Sequence, residues 1–135
     1  MGKQDLDAAL APLLERDSRY DRGAYHFVRE ALDHTQALLL RRGEPAPRHV
    51  TGRELLEGIR SYALEQFGPM SCTVFEAWGV RTCDDFGEIV FNLISHRILS
   101  KSETDLREDF KDGYDFEEAF RRPYVPGVAP ASRNR

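Results

Sequence analysis

The sequence predicts a compact, mainly α-helical domain of about five helices, and two observations carry this prediction. Apolar residues recur at intervals of three and four in successive segments, which is the spacing of an amphipathic helix. Glycine and proline stand between those segments, where helices end and begin. The clearest apolar stripe lies in residues 82–99 and comprises Phe86, Ile89, Val90, Leu93 and Ile94. We expect the helix that carries it to form the centre of the core, with Phe91 contacting a neighbour on a second side.

Length and composition are those of one ordinary globular domain, with 135 residues, 41% hydrophobic and 31% charged. The formal net charge is −4, whereas proteins that chiefly bind phosphate groups are usually basic, so the charge balance counts against nucleic acid. No run of 18 apolar residues occurs, and the N-terminus lacks the apolar core of a signal peptide. We therefore expect a cytoplasmic protein without a membrane segment.

The first two helices differ in the strength of their signals. Residues 4–16 place leucines at helical spacing, but Pro12 would interrupt a regular helix there. We expect a short or broken helix that docks loosely. Residues 22–41 carry an apolar stripe over five turns, and Gly43 follows as a C-terminal cap. The proline-containing residues 43–49 then connect this helix to the next.

The middle of the chain has well-marked helix ends. Thr51 and Glu54 have the spacing of a capping box, which begins a third helix that runs to residue 67. Gly68 ends that helix, and Pro69 begins a short fourth helix that runs to residue 78. Gly79 separates the fourth helix from the fifth, which begins at Thr82.

The C-terminal part has weaker helical patterns. Asp115 and Glu118 have capping-box spacing, which predicts a short helix over 116–122. Residues 123–135 are rich in proline, glycine, alanine and serine, which is typical of a flexible tail. The predicted organisation is a loosely docked N-terminal helix (1–19), a single helical domain (20–122) and a tail (123–135).

Residues 69–78 and 82–97 have the proportions of a helix-turn-helix unit. The turn signal Asp112-Gly113 predicts a short β-hairpin within 98–116, which would complete a winged-helix outline. The helix that would read DNA, however, begins with carboxylates, and carboxylates repel phosphate. These acidic residues are Asp84, Asp85 and Glu88. The composition therefore favours a structural role for the unit.

Residues 103–118 form an acidic segment with a net charge of −6, and aromatic residues lie within it and just after it. We predict a non-enzymatic interaction or adaptor domain that binds an unidentified protein partner with the acidic and aromatic residues of 103–124. The predicted contact residues are Asp109, Asp112, Tyr114, Asp115, Phe116, Phe120 and Tyr124. Alternatively, the rings form a lid that closes the segment over the core. The carboxylate spacing is not that of an EF-hand loop, so no metal is predicted.

A second function class remains open, that of a winged-helix-like regulator that binds nucleic acid. It would use the basic residues around the proline-containing loop and those near the tail. They are Arg41, Arg42, Arg48, His49, Arg53, Arg121 and Arg122. Helix capping and solubility explain the same residues without any ligand.

An enzymatic activity is not predicted, and neither is a cofactor. Cys72 and Cys83 have apolar neighbours and are expected to be small core residues. Cys83 stands at a helix N-terminus, where the pKa of a thiol can fall, but no base lies near it in the sequence. No histidine has the spacing of a metal site, and no glycine-rich phosphate loop occurs.

Four motifs resemble those of an uncharacterised family of small bacterial proteins. They are FGP (67–69), WG (78–79), DFGEIVFNL (85–93) and DFKDGYDF (109–116). The resemblance covers about residues 20–120. It implies a bacterial, cytoplasmic origin and brings no catalytic residue and no ligand with it.

Overall fold

The computed structural model describes residues 3–43, 50–100, 107–111 and 113–124, and it confirms a mainly helical fold. Its five α-helices are α1 (Lys3–Arg16), α2 (Arg22–Arg41), α3 (Gly52–Phe67), α4 (Ser71–Ala77) and α5 (Cys83–Ser95). Shorter 3-10 turns occur at Gly68–Met70, Arg107–Phe110 and Arg122–Tyr124, and a π-helical turn occurs at Glu117–Arg121. The predicted helices over 22–41 and 51–67 are confirmed almost residue for residue.

The two longest helices, α2 and α3, pack closely against each other. Gly58 of α3 faces Thr35 of α2, and a Cβ atom at Gly58 would overlap the threonine side chain. Thr35 is buried, and its hydroxyl donates to the carbonyl of Ala31 at 2.7 Å. Leu55 and Ile59 bury their side chains next to this contact. The absence of a side chain at Gly58 therefore sets the distance between the helices.

Helix α5 lies in the core, as the sequence predicts. It packs against α2, against α4 through the rings of Phe86 and Phe75 (centroids 5.4 Å apart), and against the turn that contains Phe110. Its buried residues are Cys83, Phe86, Gly87, Ile89, Val90 and Leu93. Phe91, which lies off the apolar stripe, is 45% exposed. Its position on the helix turns it away from the stripe that the core covers.

Helix α1 is continuous over 14 residues, so the expectation of a short or broken helix is wrong. Leu6, Leu10 and Leu13 form a stripe that is almost completely buried. Pro12 lies on the exposed face and cannot donate to the carbonyl of Ala8, a residue that is also exposed. Burial of the leucines offsets the hydrogen bond that the proline removes.

The predicted β-hairpin is not confirmed. Its described part, residues 98–100, 107–111 and 113–116, contains no strand, and residues 101–106 and 112 lie outside the described residues. Residues 107–110 form a 3-10 turn, which buries Phe110 against Gly52 of α3 and Gly87 of α5. The ring of Phe110 thus packs between two helices.

Helices α4 and α5 follow each other through a turn at Gly79, whose φ of +87° favours glycine. Most of α5 is covered by the core, and its exposed residues are Asp84, Phe91 and Ser95. None of these side chains is cationic. Arg97, the basic residue of the predicted helix over 82–97, lies beyond the end of α5 and is exposed.

Candidate binding cleft beside the C-terminal segment

The described residues 113–124, here called the C-terminal segment, turn most of their aromatic rings towards the core. Phe120 is completely buried, and its ring lies 5.2 Å from that of Phe75. Phe116 packs against Phe86 at 5.7 Å, and the hydroxyl of Tyr114 donates to the carbonyl of Leu56 at 2.8 Å. The rings form the lid that was the alternative interpretation. The prediction that these rings lie on an exposed face is wrong for Phe120, and Tyr114 and Phe116 are half-buried.

The two cysteines hold the backbone of the C-terminal segment. The Cys83 thiol donates to the carbonyl of Tyr114 at 3.4 Å, and the Cys72 thiol donates to that of Phe116 at 3.7 Å. Both cysteines are buried and free, as expected of core residues. Burial raises the pKa of Cys83 to about 12, so the possibility of a lowered pKa at this helix N-terminus is wrong. Desolvation of the thiolate outweighs the favourable helix dipole.

The charged side chains of the same segment face outwards and border a cleft of about 400 Å³. The opposite wall comes from α4 and from the turn that leads into α5. The lining residues are Cys72, Glu76, Val80, Arg81, Thr82, Tyr114, Asp115, Phe116, Glu117 and Arg121. We call this space the C-terminal cleft. Three of the residues predicted to contact a protein partner, Tyr114, Asp115 and Phe116, therefore lie together on one wall.

Ion pairs occupy one side of the C-terminal cleft. The Arg121 guanidinium lies 3.4 Å from the carboxylate of Glu76 and 3.6 Å from that of Glu117. Arg122, which does not line the cleft, pairs with Glu118 at 2.6 Å. Both arginines were predicted to contact nucleic acid in the alternative interpretation. A phosphate group would have to compete with these carboxylates for them.

Arg81 and Asp115 leave a second part of the cleft more open. Both side chains are exposed, and neither forms an ion pair with another described residue. The Asp115 carboxylate accepts from the backbone N–H of Glu118 at 3.1 Å, which caps the following turn. The backbone N–H of Arg81 donates to Asp85 at 2.8 Å. The backbone at both positions is thus fixed, while the guanidinium and the remaining carboxylate oxygen stay available to a ligand.

The other predicted contact residues do not line this cleft. Asp109 is half-buried against Gly52 at the start of α3, and Tyr124 is 45% exposed at the end of the described chain. Arg41 and Arg42 are exposed at the C-terminal end of α2, and Arg53 is exposed at the start of α3. Predictions for Asp112, Arg48 and His49 lie outside the described residues. The structure therefore brings together only part of the predicted set.

Sequence reasoning missed the α4 side of the cleft. Glu76 and Arg81 reach the C-terminal segment only because the fold brings together residues that are about 40 positions apart. Neither residue belongs to a motif. No local signal in the sequence could have placed them opposite Asp115.

The described ranges contain no cluster of metal-binding side chains and no membrane-spanning helix. Nowhere in them do three histidine, cysteine, aspartate or glutamate side chains approach one another as metal ligands would. Among the helices of residues 3–43, 50–100, 107–111 and 113–124, none combines the length and apolar character needed to span a bilayer.

Comparison with known proteins does not assign the chain to a family. No protein-family model matches the chain, and neither the curated proteins nor the solved structures contain a significant match. The resemblance to a family of small bacterial proteins stays a prediction.

Proposed function

We propose that the chain is a non-enzymatic protein-interaction domain and that the C-terminal cleft is its binding site. The observation that supports this proposal most is the division of the C-terminal segment into two sides. Rings and thiol hydrogen bonds fix its inner side, as at Phe120 and Cys83, while charged groups line its outer side. A surface that is already ordered loses little conformational entropy when a partner binds, which favours recognition by a small cleft.

The charges of the cleft indicate what kind of partner it would bind. Three carboxylates (Glu76, Asp115 and Glu117) and two guanidinium groups (Arg81 and Arg121) line it. A polypeptide segment with a basic residue opposite Asp115 and Glu117, and an acidic residue opposite Arg81, would complement this arrangement. Partly exposed ring surface of Phe116 provides apolar contact between the two.

The nucleic-acid alternative has less support. Two of the arginines that it requires, Arg121 and Arg122, are paired with glutamates. Arg41 lies in the last turn of α2 and Arg42 caps the helix, and cations at this end stabilise the helix dipole. We therefore give priority to the protein-interaction hypothesis.

A capture experiment with a charge-swapped cleft tests the proposal. The full chain is immobilised, exposed to lysate of the source organism with and without nuclease, and bound proteins are identified by mass spectrometry. The variant Arg81→Glu/Glu117→Lys keeps the net charge and reverses the sign of both groups in the cleft. We expect a partner that survives nuclease and that this variant fails to capture.

The matched control is Arg29→Glu/Asp33→Lys, which swaps an ion pair of 2.9 Å on the surface of α2, outside the cleft. Thermal unfolding shows that each variant is folded. Equal capture by the cleft variant and the control would remove the C-terminal cleft from the proposal. Capture that disappears entirely with nuclease would favour the nucleic-acid alternative.

A further inference from the structure

A second cleft, of about 510 Å³, opens beside α1 and α2 near the C-terminal ends of α3 and α4. Pockets for small organic ligands have volumes of roughly 300–1,000 Å³, so this cleft is large enough for one. It shares no lining residue with the C-terminal cleft. We call it the aromatic cleft.

Three aromatic rings line the aromatic cleft. The ring of Phe27 lies 5.6 Å from that of Phe67 and 5.7 Å from that of Trp78, and the last two rings are 5.8 Å apart. Phe27 is buried beneath the other two, whereas Phe67 and Trp78 keep part of their surface exposed. Ring faces carry partial negative charge, so a cluster of this kind attracts a cation that has an apolar body.

The position of Trp78 is set by α2. A Cβ atom at Gly23 would lie 2.5 Å from the indole Nε1, so the indole rests on the backbone of the helix where a side chain is missing. The carbonyl of Trp78 accepts from the backbone N–H of Asp21 at 3.0 Å. These contacts fix the indole at the wall of the cleft.

Carboxylates dominate the rim of the aromatic cleft. Asp7, Asp21 and Glu30 carry three negative charges, Arg22 carries one positive charge, and His26 is the remaining titratable group. With a neutral imidazole the rim has a formal charge of −2. Asp7 contacts the His26 ring at 2.5 Å and lies 3.8 Å from the Arg22 guanidinium.

Protein contacts also fix the other two carboxylates. Asp21 accepts from the backbone N–H of Gly23 at 2.8 Å, and Glu30 accepts from the hydroxyl of Tyr62 at 3.0 Å. Each contact uses one of the carboxylate oxygens and leaves further lone pairs for a ligand. The negative charge is therefore held beside the rings.

We propose that the aromatic cleft binds an alkylammonium group, supplied by a free amine or by a lysine side chain of a polypeptide. The methyl or methylene groups contact the rings of Phe67 and Trp78, and the positive charge interacts with the ring faces and with the rim. An anion is repelled by the rim. A neutral molecule of the same shape gains the ring contacts alone.

Trp78 reports binding directly because it is the one tryptophan of the chain. The full chain is titrated with choline and with 3,3-dimethylbutan-1-ol, a neutral molecule of the same shape, and tryptophan fluorescence is recorded. We expect a saturable change with choline and about tenfold weaker binding of the alcohol. Butylammonium and Nα-acetyl-lysine amide, which keeps its side-chain ammonium, then distinguish the two sources. Tighter binding of the lysine amide would identify a polypeptide side chain, and tighter binding of butylammonium would identify a free amine.

Two matched variants separate the rim from general charge effects. Asp21→Asn/Glu30→Gln removes two charges, while Asn retains the helix cap and Gln can still accept from Tyr62. Asp33→Asn/Glu65→Gln removes two charges from exposed positions outside the cleft. We expect choline to bind about tenfold more weakly to the rim variant and equally well to the control.

Equal binding of choline and the alcohol, or equal binding to both variants, would overturn the proposal. The proposal would also be overturned if choline caused no saturable fluorescence change and received no saturation transfer from the protein in NMR spectra. None of these outcomes bears on the C-terminal cleft, because the two sites share no residue.

Discussion

Replacing Gly58 with alanine tests how closely α2 and α3 pack. The added Cβ atom would overlap the hydroxyl of Thr35 and would lie 2.9 Å from its Cβ and 3.3 Å from its Cγ2. Leu55 and Ile59 are buried on neighbouring turns of α3, so the helices cannot separate without losing those contacts as well. The strain must therefore fall on the Gly58–Thr35 contact itself.

The expected cost combines three terms. Alanine favours the helix over glycine by about 1 kcal/mol, which alone would stabilise the protein. Overpacking a buried contact costs about 1–3 kcal/mol. Rotating Thr35 away breaks its buried hydrogen bond to Ala31, which costs about 1 kcal/mol more. We expect Gly58→Ala to lower the free energy of unfolding by about 1–3 kcal/mol.

Urea unfolding followed by circular dichroism measures this change. Adding Gly58→Ala to a Thr35→Ala background should cost at least about 1 kcal/mol less than adding it to the native chain, because the overlapping hydroxyl is gone. Glu57→Ala, at an exposed position of the same helix, should stay within about 0.5 kcal/mol of the native chain. A Gly58→Ala variant that is as stable as the native chain would refute the close contact.

Two further predictions concern α5. Leu93→Ala should lower the free energy of unfolding by about 2–5 kcal/mol because Leu93 is completely buried. Phe91→Ala should lower it clearly less because Phe91 is 45% exposed. Equal losses in urea unfolding would contradict the orientation of the helix. Burial raises the pKa of Cys83 from 9.0 to about 12, so between these pH values the unfolded chain releases a proton that the folded chain retains. Stability should therefore fall as the pH rises from 9 to 12, and Cys83→Ala should weaken that dependence. An unchanged pH dependence in the variant would show that the thiol is not the group responsible.

Helix ends were predictable where their signals are local. The capping box at the start of α3 forms as expected, with hydrogen bonds of 3.0 and 3.1 Å between Thr51 and Glu54. The prediction for α1 was wrong because the sequence shows the hydrogen bond that Pro12 removes. The burial of Leu10 and Leu13 that offsets this loss depends on the tertiary structure. Local energies can be inferred from sequence, and their competition with burial cannot.

The candidate sites were predictable only in part. Asp115 and Phe116 were predicted to contact a partner, and both line the C-terminal cleft. The C-terminal segment has no regular period, so its inward and outward faces could not be distinguished from the sequence. No sequence pattern predicted the aromatic cleft. It depends on the contact between Gly23 and Trp78, which are 55 positions apart.

The packing of Phe75 has a consequence for how the protein folds during synthesis. Its ring contacts those of Phe116 and Phe120, which follow it by more than 40 residues. While the ribosome is still making the C-terminal segment, the nascent chain exposes the surface of α4 and α5 that these rings later cover. Chaperones that hold incomplete chains bind exposed apolar surface of this kind. Closure of the core must therefore wait until Phe120 has left the ribosome.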